Sequence, residues 1–153
     1  MRHSVPALTA LMAAALLSVS ACTASSGTFL SMEREQLPED HLPVEVQQSQ
    51  VPDLDQASTR LATTHQGRDY YLATAQAGAL GCLLVVPQDR TQQFVGGCGA
   101  LDDTRPGSGI PIVTLEALGG AASLIPDGAQ TSSLSDAAWS EIHPNIGIRD
   151  FSS

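Results

Sequence analysis

The chain contains no lysine, and its 153 residues include only three Phe, two Tyr and one Trp. Its positive charge rests on 7 arginines against 16 acids. So few aromatics limit any stacking surface, and the missing basic clusters leave no electrostatic footprint for nucleic acid. No segment of ten or more residues carries a sustained 3.6-residue apolar period, which argues against a helical bundle. Catalytic signatures are absent too: there is no G-x-S-x-G elbow, no H-E-x-x-H helix, no S-x-x-K and no phosphate-cradling loop. Gly96-Gly97-Cys98-Gly99 has no following lysine and no helix, so it reads as a bulge or a tight backbone approach. No C-x-x-C occurs, and no histidine lies within sixteen residues of Cys82 or Cys98.

What is present begins with the first thirty residues. Met1-Arg2-His3 precedes an apolar stretch from Val5 to Leu17 and the small residues Ser18-Val19-Ser20-Ala21 before Cys22. These are the three parts of a secretory signal. The stretch is short of the roughly 20 residues that cross a hydrocarbon core, and polar Thr23 to Gly27 follows it without a basic stop-transfer cluster. Val19-Ser20-Ala21-Cys22 resembles the lipobox of bacterial lipoproteins. The resemblance implies cleavage after residue 21, a diacylglyceryl thioether on Cys22, and anchoring by palmitate-type acyl chains on the extracytoplasmic face of the cell membrane. The alternative is cleavage by the ordinary secretory peptidase, which leaves Cys22 as an exposed free thiol.

Removing residues 1–21 from the 153 leaves 132, enough for one domain with a modest core. Six arginines then stand against 16 acids, a formal balance near −10 that anionic phospholipid would repel. The missing lysine, with abundant Ala, Gly, Asp and Arg, is the bias of a GC-rich genome and points toward an actinobacterial source. With Cys22 assigned to lipid, Cys82 and Cys98 form an even set in an oxidising compartment, where a pair closes. A catalytic cysteine or half a metal site would be the alternatives, and nothing nearby supports either.

Residues 22–54 read as a lipidated N-terminus and a flexible acidic tether. Glu33 to Pro43 holds two prolines and several acids, and Gln47-Gln48-Ser49-Gln50 is polar, so a packed core there is not expected. The globular part is expected at residues 55–153. Asp55-Gln56-Ala57-Ser58 suits a capped turn before Thr59–Thr64. Gln66-Gly67-Arg68 turns the chain into the aromatic segment Asp69–Ala75, completing a hairpin. Cys82–Val86 is a continuous apolar run ended by Pro87, and Gln93–Cys98 returns from it. In a hairpin centred on Arg90, opposed residues have numbers that sum to 180, and Cys82 with Cys98 meets that condition. Register and disulfide therefore support one another. Ile110–Leu115, interrupted by Pro111, reads as an edge strand. Ala121–Ile125 is a further strand ended by the Pro126-Asp127-Gly128 turn. Ser135–Ile142 suits a helical turn or bend, and Asn145–Phe151 a closing strand. The expected fold is mainly β (or α+β), a small antiparallel sheet or sandwich of about six strands with one disulfide-stapled hairpin.

His41, His65 and His143 are isolated and fit solvated loop positions better than a metal site; no cofactor is expected. Asp102 and Asp103 precede a Pro-Gly-Ser-Gly loop but lack the alternating oxygen ligands of a calcium loop. Tyr70, Tyr71 and Trp139 are the candidate ligand-contact aromatics; packing is the competing role, and strand alternation exposes at most one of the adjacent tyrosines.

These elements together resemble small secreted or lipid-anchored actinobacterial proteins: a leader, an acidic arm like Glu33–Pro43, a tyrosine strand such as Asp69–Ala73, Cys-Leu-Leu-Val-Val paired with Gly-Cys-Gly, a Pro-Asp-Gly turn and an Asn-containing last strand. The resemblance supports the architecture and the disulfide and implies no particular chemistry. Three functions follow as expectations. The first is a non-enzymatic envelope module that engages a partner protein or small ligand. The second is a hydrolase of wall material using acids such as Asp102, Asp103 or Glu116, which needs two carboxylates about 5 to 10 Å apart across a cleft. The third is an inhibitor whose acidity steers it to a basic target.

Overall fold

The computed structural model describes residues 29–47, 51–89, 93–102, 107–117, 119–134 and 138–150. Among the described residues, eight strands form two antiparallel sheets. The first contains β1 (Leu54–His65), β2 (Arg68–Ala75), β3 (Leu80–Pro87) and β4 (Val95–Ala100), in that spatial order. The second contains β5 (Val113–Ala117), β6 (Gly120–Leu124), β7 (Ser140–His143) and β8 (Ile146–Asp150), in the order β5-β6-β8-β7. The mainly β, antiparallel expectation holds, with eight strands among the described residues where about six were expected. The strand not expected is β7, whose sequence carries weak signals. Ser140–His143 lies in a segment expected to turn or bend, and pairs with β8 through a register shift between Glu141 and His143. Residues 135–137 and Phe151, parts of the expected bend and closing strand, lie outside the described residues.

The two sheets face each other across a core of Tyr70, Leu72, Leu83, Val85, Ala122, Leu124, Ile146 and Ile148, joined by Phe29. Alternation along a strand sends the intervening residues to the opposite face. There Tyr71, Ala73, Ala75, Cys82, Leu84 and Val86 form a second core, and Leu42 and Val46 cover it. This explains why Cys82–Val86 lacks the polar alternation of an ordinary antiparallel strand: β3 is buried on both sides, and so is most of β2.

The cover corrects the expectation of a flexible arm. Residues 29–47 are packed onto the sandwich, with Phe29, Leu42 and Val46 all buried. Few apolar residues suffice because the contact is also polar. Asp40 is fully buried and accepts hydrogen bonds from Arg34 Nη1 at 2.5 Å and Nη2 at 2.6 Å, and from the backbone N–H of Leu37 and Leu61, each at 2.7 Å. Arg60, also buried, donates through Nε and Nη2 to the Arg34 carbonyl and through Nη1 to the carbonyls of Ala57 and Thr59. The Thr59 hydroxyl donates to the Asp40 carbonyl at 2.8 Å. Two short segments thus satisfy each other's buried polar groups, and among the described residues no buried side-chain N or O atom lacks a partner. Residues 23–28 and 48–50 of the expected tether lie outside the described residues.

The arm docks on an irregularity in β1. Asp55–Ser58, expected as a capped turn, is a break in the register between Asp55 and Arg60. Asp55 Oδ1 accepts from the Ala57 N–H at 3.0 Å, and the Ser58 hydroxyl accepts from the Thr74 N–H at 2.8 Å. The bulge frees the β1 backbone around Ala57 and Thr59 to meet Arg60 and Gln36.

Candidate functional site

The Cys82–Cys98 bond is present. The two residues oppose each other in a register whose other pairs run from Leu80 with Ala100 to Val85 with Val95, and their α-carbons are 4.0 Å apart. The hairpin expected around Arg90 is therefore the observed one, although residues 90–92 lie outside the described residues. Its role follows from β4, an edge strand with glycine at positions 96, 97 and 99 and little side chain of its own to pack. A Cβ on Gly99 would lie 1.9 Å from the Ile112 carbonyl oxygen, and one on Gly97 would lie 2.8 Å from Leu115 Cδ2. The glycines let the chain entering β5 press against β4, and the disulfide supplies cohesion that side chains cannot. Gly96–Gly99 is thus a tight approach, one of the two readings its sequence allows.

The three candidate aromatics do not form one surface. Tyr70 and Tyr71 are each 4% exposed and point to opposite cores. Trp139 is half-buried against Ile125, Ala129 and Leu134, on the outer side of the second sheet, with the Arg149 guanidinium 5.2 Å from its ring centroid. Cys22 lies outside the described residues.

Tyr70 nevertheless lines a shallow, open cleft where the sheets part at one end. The start of β2, the end of β3, the start of β4 and the β5–β6 turn meet there with the end of β8. The apolar floor is Val85, Val95, Leu115, Ala122 and Ile148, with Gln66, Arg68, Tyr70 and Asp150 around it. Burial raises the Tyr70 pKa above its ordinary 10.0; nearby Arg68 opposes the rise and Asp150 adds to it. The phenol therefore stays protonated at neutral pH, a hydrogen-bond donor that feels both a cation and an anion beside apolar ground. Such a surface holds a small, partly apolar group and orients it through a few polar contacts. Tyr70 is legible in the sequence but its companions are not, because Arg68 and Asp150 are more than eighty residues apart and each alone resembles a solvated strand end.

The carboxylates considered for hydrolysis do not share this cleft. Glu116 is exposed on β5, with Oε1 4.0 Å from Arg149 Nη2. Asp102 follows β4 at the opposite end of the sandwich, and Asp103 lies outside the described residues. The histidines are likewise apart, on the arm, at the end of β1 and at the end of β7. His41 borders a second hollow with Gln36, Leu42, Gln56 and Ala57. Burial lowers the His143 pKa against the opposing pull of Asp127 and Glu141, and its Nδ1 accepts the Asn145 N–H at 3.2 Å. Among the described residues no three His, Cys, Asp or Glu side chains are grouped to hold a metal ion.

Comparison with protein-family models, curated proteins and solved structures finds no match to this chain.

Proposed function

We propose that this protein is a lipid-anchored module of the bacterial cell envelope, tethered through Cys22 on the extracytoplasmic face, that binds a small ligand or a partner segment without catalysing a reaction. The lipobox resemblance at Val19–Cys22 supports the anchor. The cleft carries the binding reading: an apolar floor ringed by Arg68, Tyr70 and Asp150 offers contacts for a ligand but no nucleophile with an adjacent base.

Two measurements test the two halves separately. The intact mass of the mature protein should show a chain starting at Cys22 with a diacylglyceryl adduct, and Cys22→Ala should leave the membrane fraction. A chain starting at Cys22 without lipid rejects the anchor. A photo-cross-linker at Gln66, beside the cleft, should trap an envelope component in intact cells, whereas one at Glu141 should not, and Arg68→Ala should abolish the adduct. Equal adducts at both positions, or none, reject the cleft as the binding surface.

A further inference from the structure

The fold decides where an anchored chain enters the domain. Phe29 is buried beside Gly81, where its ring would lie 3.0 Å from an added Cβ, together with Leu101. The Leu30 N–H donates to Asp127 Oδ2 at 2.6 Å, and the Ser31 hydroxyl to Asn145 Oδ1 at 3.2 Å. Asp127 is held in turn by Asn145 Nδ2 at 2.7 Å, and its carbonyl accepts the Gly107 N–H at 2.9 Å. All these groups sit where β3, β5 and β8 begin and β4 and β6 end. The cleft is at the other end of the same strands.

From Cys22 to Phe29 is seven chain steps, a reach of at most about 25 Å when fully extended. An eight-residue strand such as β2 is about as long. The cleft end meets the bilayer only if the linker is drawn out along the whole side of the domain. The end carrying Phe29 needs no such extension to meet the bilayer.

That end also carries the two most exposed large aliphatic side chains among the described residues, Leu30 at 68% and Ile110 at 73%. Leu30 directly follows the buried anchor point. Ile110 lies two residues before Ile112, whose carbonyl presses on Gly99. We infer that Leu30 and Ile110 form a membrane-contact patch that seats the anchored end on the bilayer and holds the cleft facing away from it. This rests on the proposed lipidation of Cys22. The short linker confines the domain at millimolar effective concentration near the surface, so a contact too weak to recruit a free protein suffices for a tethered one. The contact is apolar: the mature chain is strongly acidic and Asp102 is exposed at the same end, which favours a neutral lipid surface over an anionic one.

The test uses the mature lipidated protein in phosphatidylcholine vesicles, with single cysteines introduced as Leu30→Cys, Ile110→Cys or Gln88→Cys, the last at the cleft end. Each is labelled with an environment-sensitive fluorophore and challenged with lipids brominated along the acyl chain. Probes at 30 and 110 should be quenched severalfold more than the probe at 88, with little dependence on salt. Equal quenching at all three positions, or none at 30 and 110 on protein that floats with the vesicles, overturns the patch and leaves the anchor intact. Failure to float, with no lipid mass on Cys22, overturns the anchor and the patch with it. Concentration-dependent changes at 30 and 110 without vesicles identify a second copy as the occupant and likewise overturn the patch.

Discussion

Replacing Asp40 with Asn isolates the charge that holds the arm to the sandwich. Burial alone would raise the Asp40 pKa, but the Arg34 hydrogen bonds and the Leu37 and Leu61 N–H groups outweigh it, bringing the value from 3.8 down to about 2. That difference corresponds to about 2.5 kcal/mol of folding free energy at neutral pH. Removing one member of a buried ion pair commonly costs about 3 to 5 kcal/mol. Here the Arg34 side chain is 40% exposed and can turn to water once released, so Asp40→Asn is expected to cost somewhat less than that range, about 2 to 3 kcal/mol. The pH dependence has a definite sign. Because the folded pKa lies below the unfolded one, the contribution is complete above about pH 4 and fades as pH falls through 2. Urea denaturation followed by far-ultraviolet circular dichroism at pH 7, 4, 3 and 2 measures both effects. The wild-type chain should lose stability over the acid range more steeply than Asp40→Asn, and the two should converge near pH 2. A variant equal to wild type at pH 7, or a gap unchanged at pH 2, would refute the assignment.

Other predictions concern the strands. Replacing both Cys82 and Cys98 with Ala should lower stability by about 3 kcal/mol, the cost of releasing a loop of this length, and non-reducing mass spectrometry should show the wild-type chain two daltons lighter than its reduced form. Gly99→Ala should be more damaging than Gly96→Ala, by at least about 2 kcal/mol in urea midpoint analysis, because its methyl meets the Ile112 carbonyl rather than the yielding side chains of Leu84 and Val51. The β1–β2 hairpin turns on Gln66 at φ 48° and Gly67 at φ 71°. Asn accepts positive φ better than Gln, so Gln66→Asn should raise the melting midpoint, by about 0.5 kcal/mol equivalent.

Legibility in the sequence followed the range of the interactions involved. The hairpins were readable because Gln66-Gly67 and the Pro87 stop are local signals, and the disulfide because a single register relates two numbered residues. The arm is illegible in the sequence for a related reason. Glu33–Pro43 carries the acids and prolines of a tether, and Asp40 becomes a buried structural residue only through Arg34 and the distant Leu61 N–H. The run Cys82–Val86 did hint at this, since a strand apolar on both faces needs a second cover, but nothing local identified Leu42 and Val46 as that cover. Cleft residues were hidden in the same way: Arg68 and Asp150 acquire a shared role only when β2 and β8 end together. Strand β7 escaped because Ser140–His143 is short and gains its pairing from β8.

The arm is part of the folded domain, with Phe29, Leu42 and Val46 buried against the sheets. Chains comprising residues 29–153 and 55–153 should therefore be compared in urea by far-ultraviolet circular dichroism, with binding of a hydrophobic dye recorded alongside. The longer chain should unfold in one cooperative transition without binding dye. The shorter, with Tyr71, Leu84 and Val86 uncovered, should bind dye and lose the cooperative transition or unfold at a much lower urea concentration. Equal midpoints without dye binding would contradict the account and restore the arm to a tether.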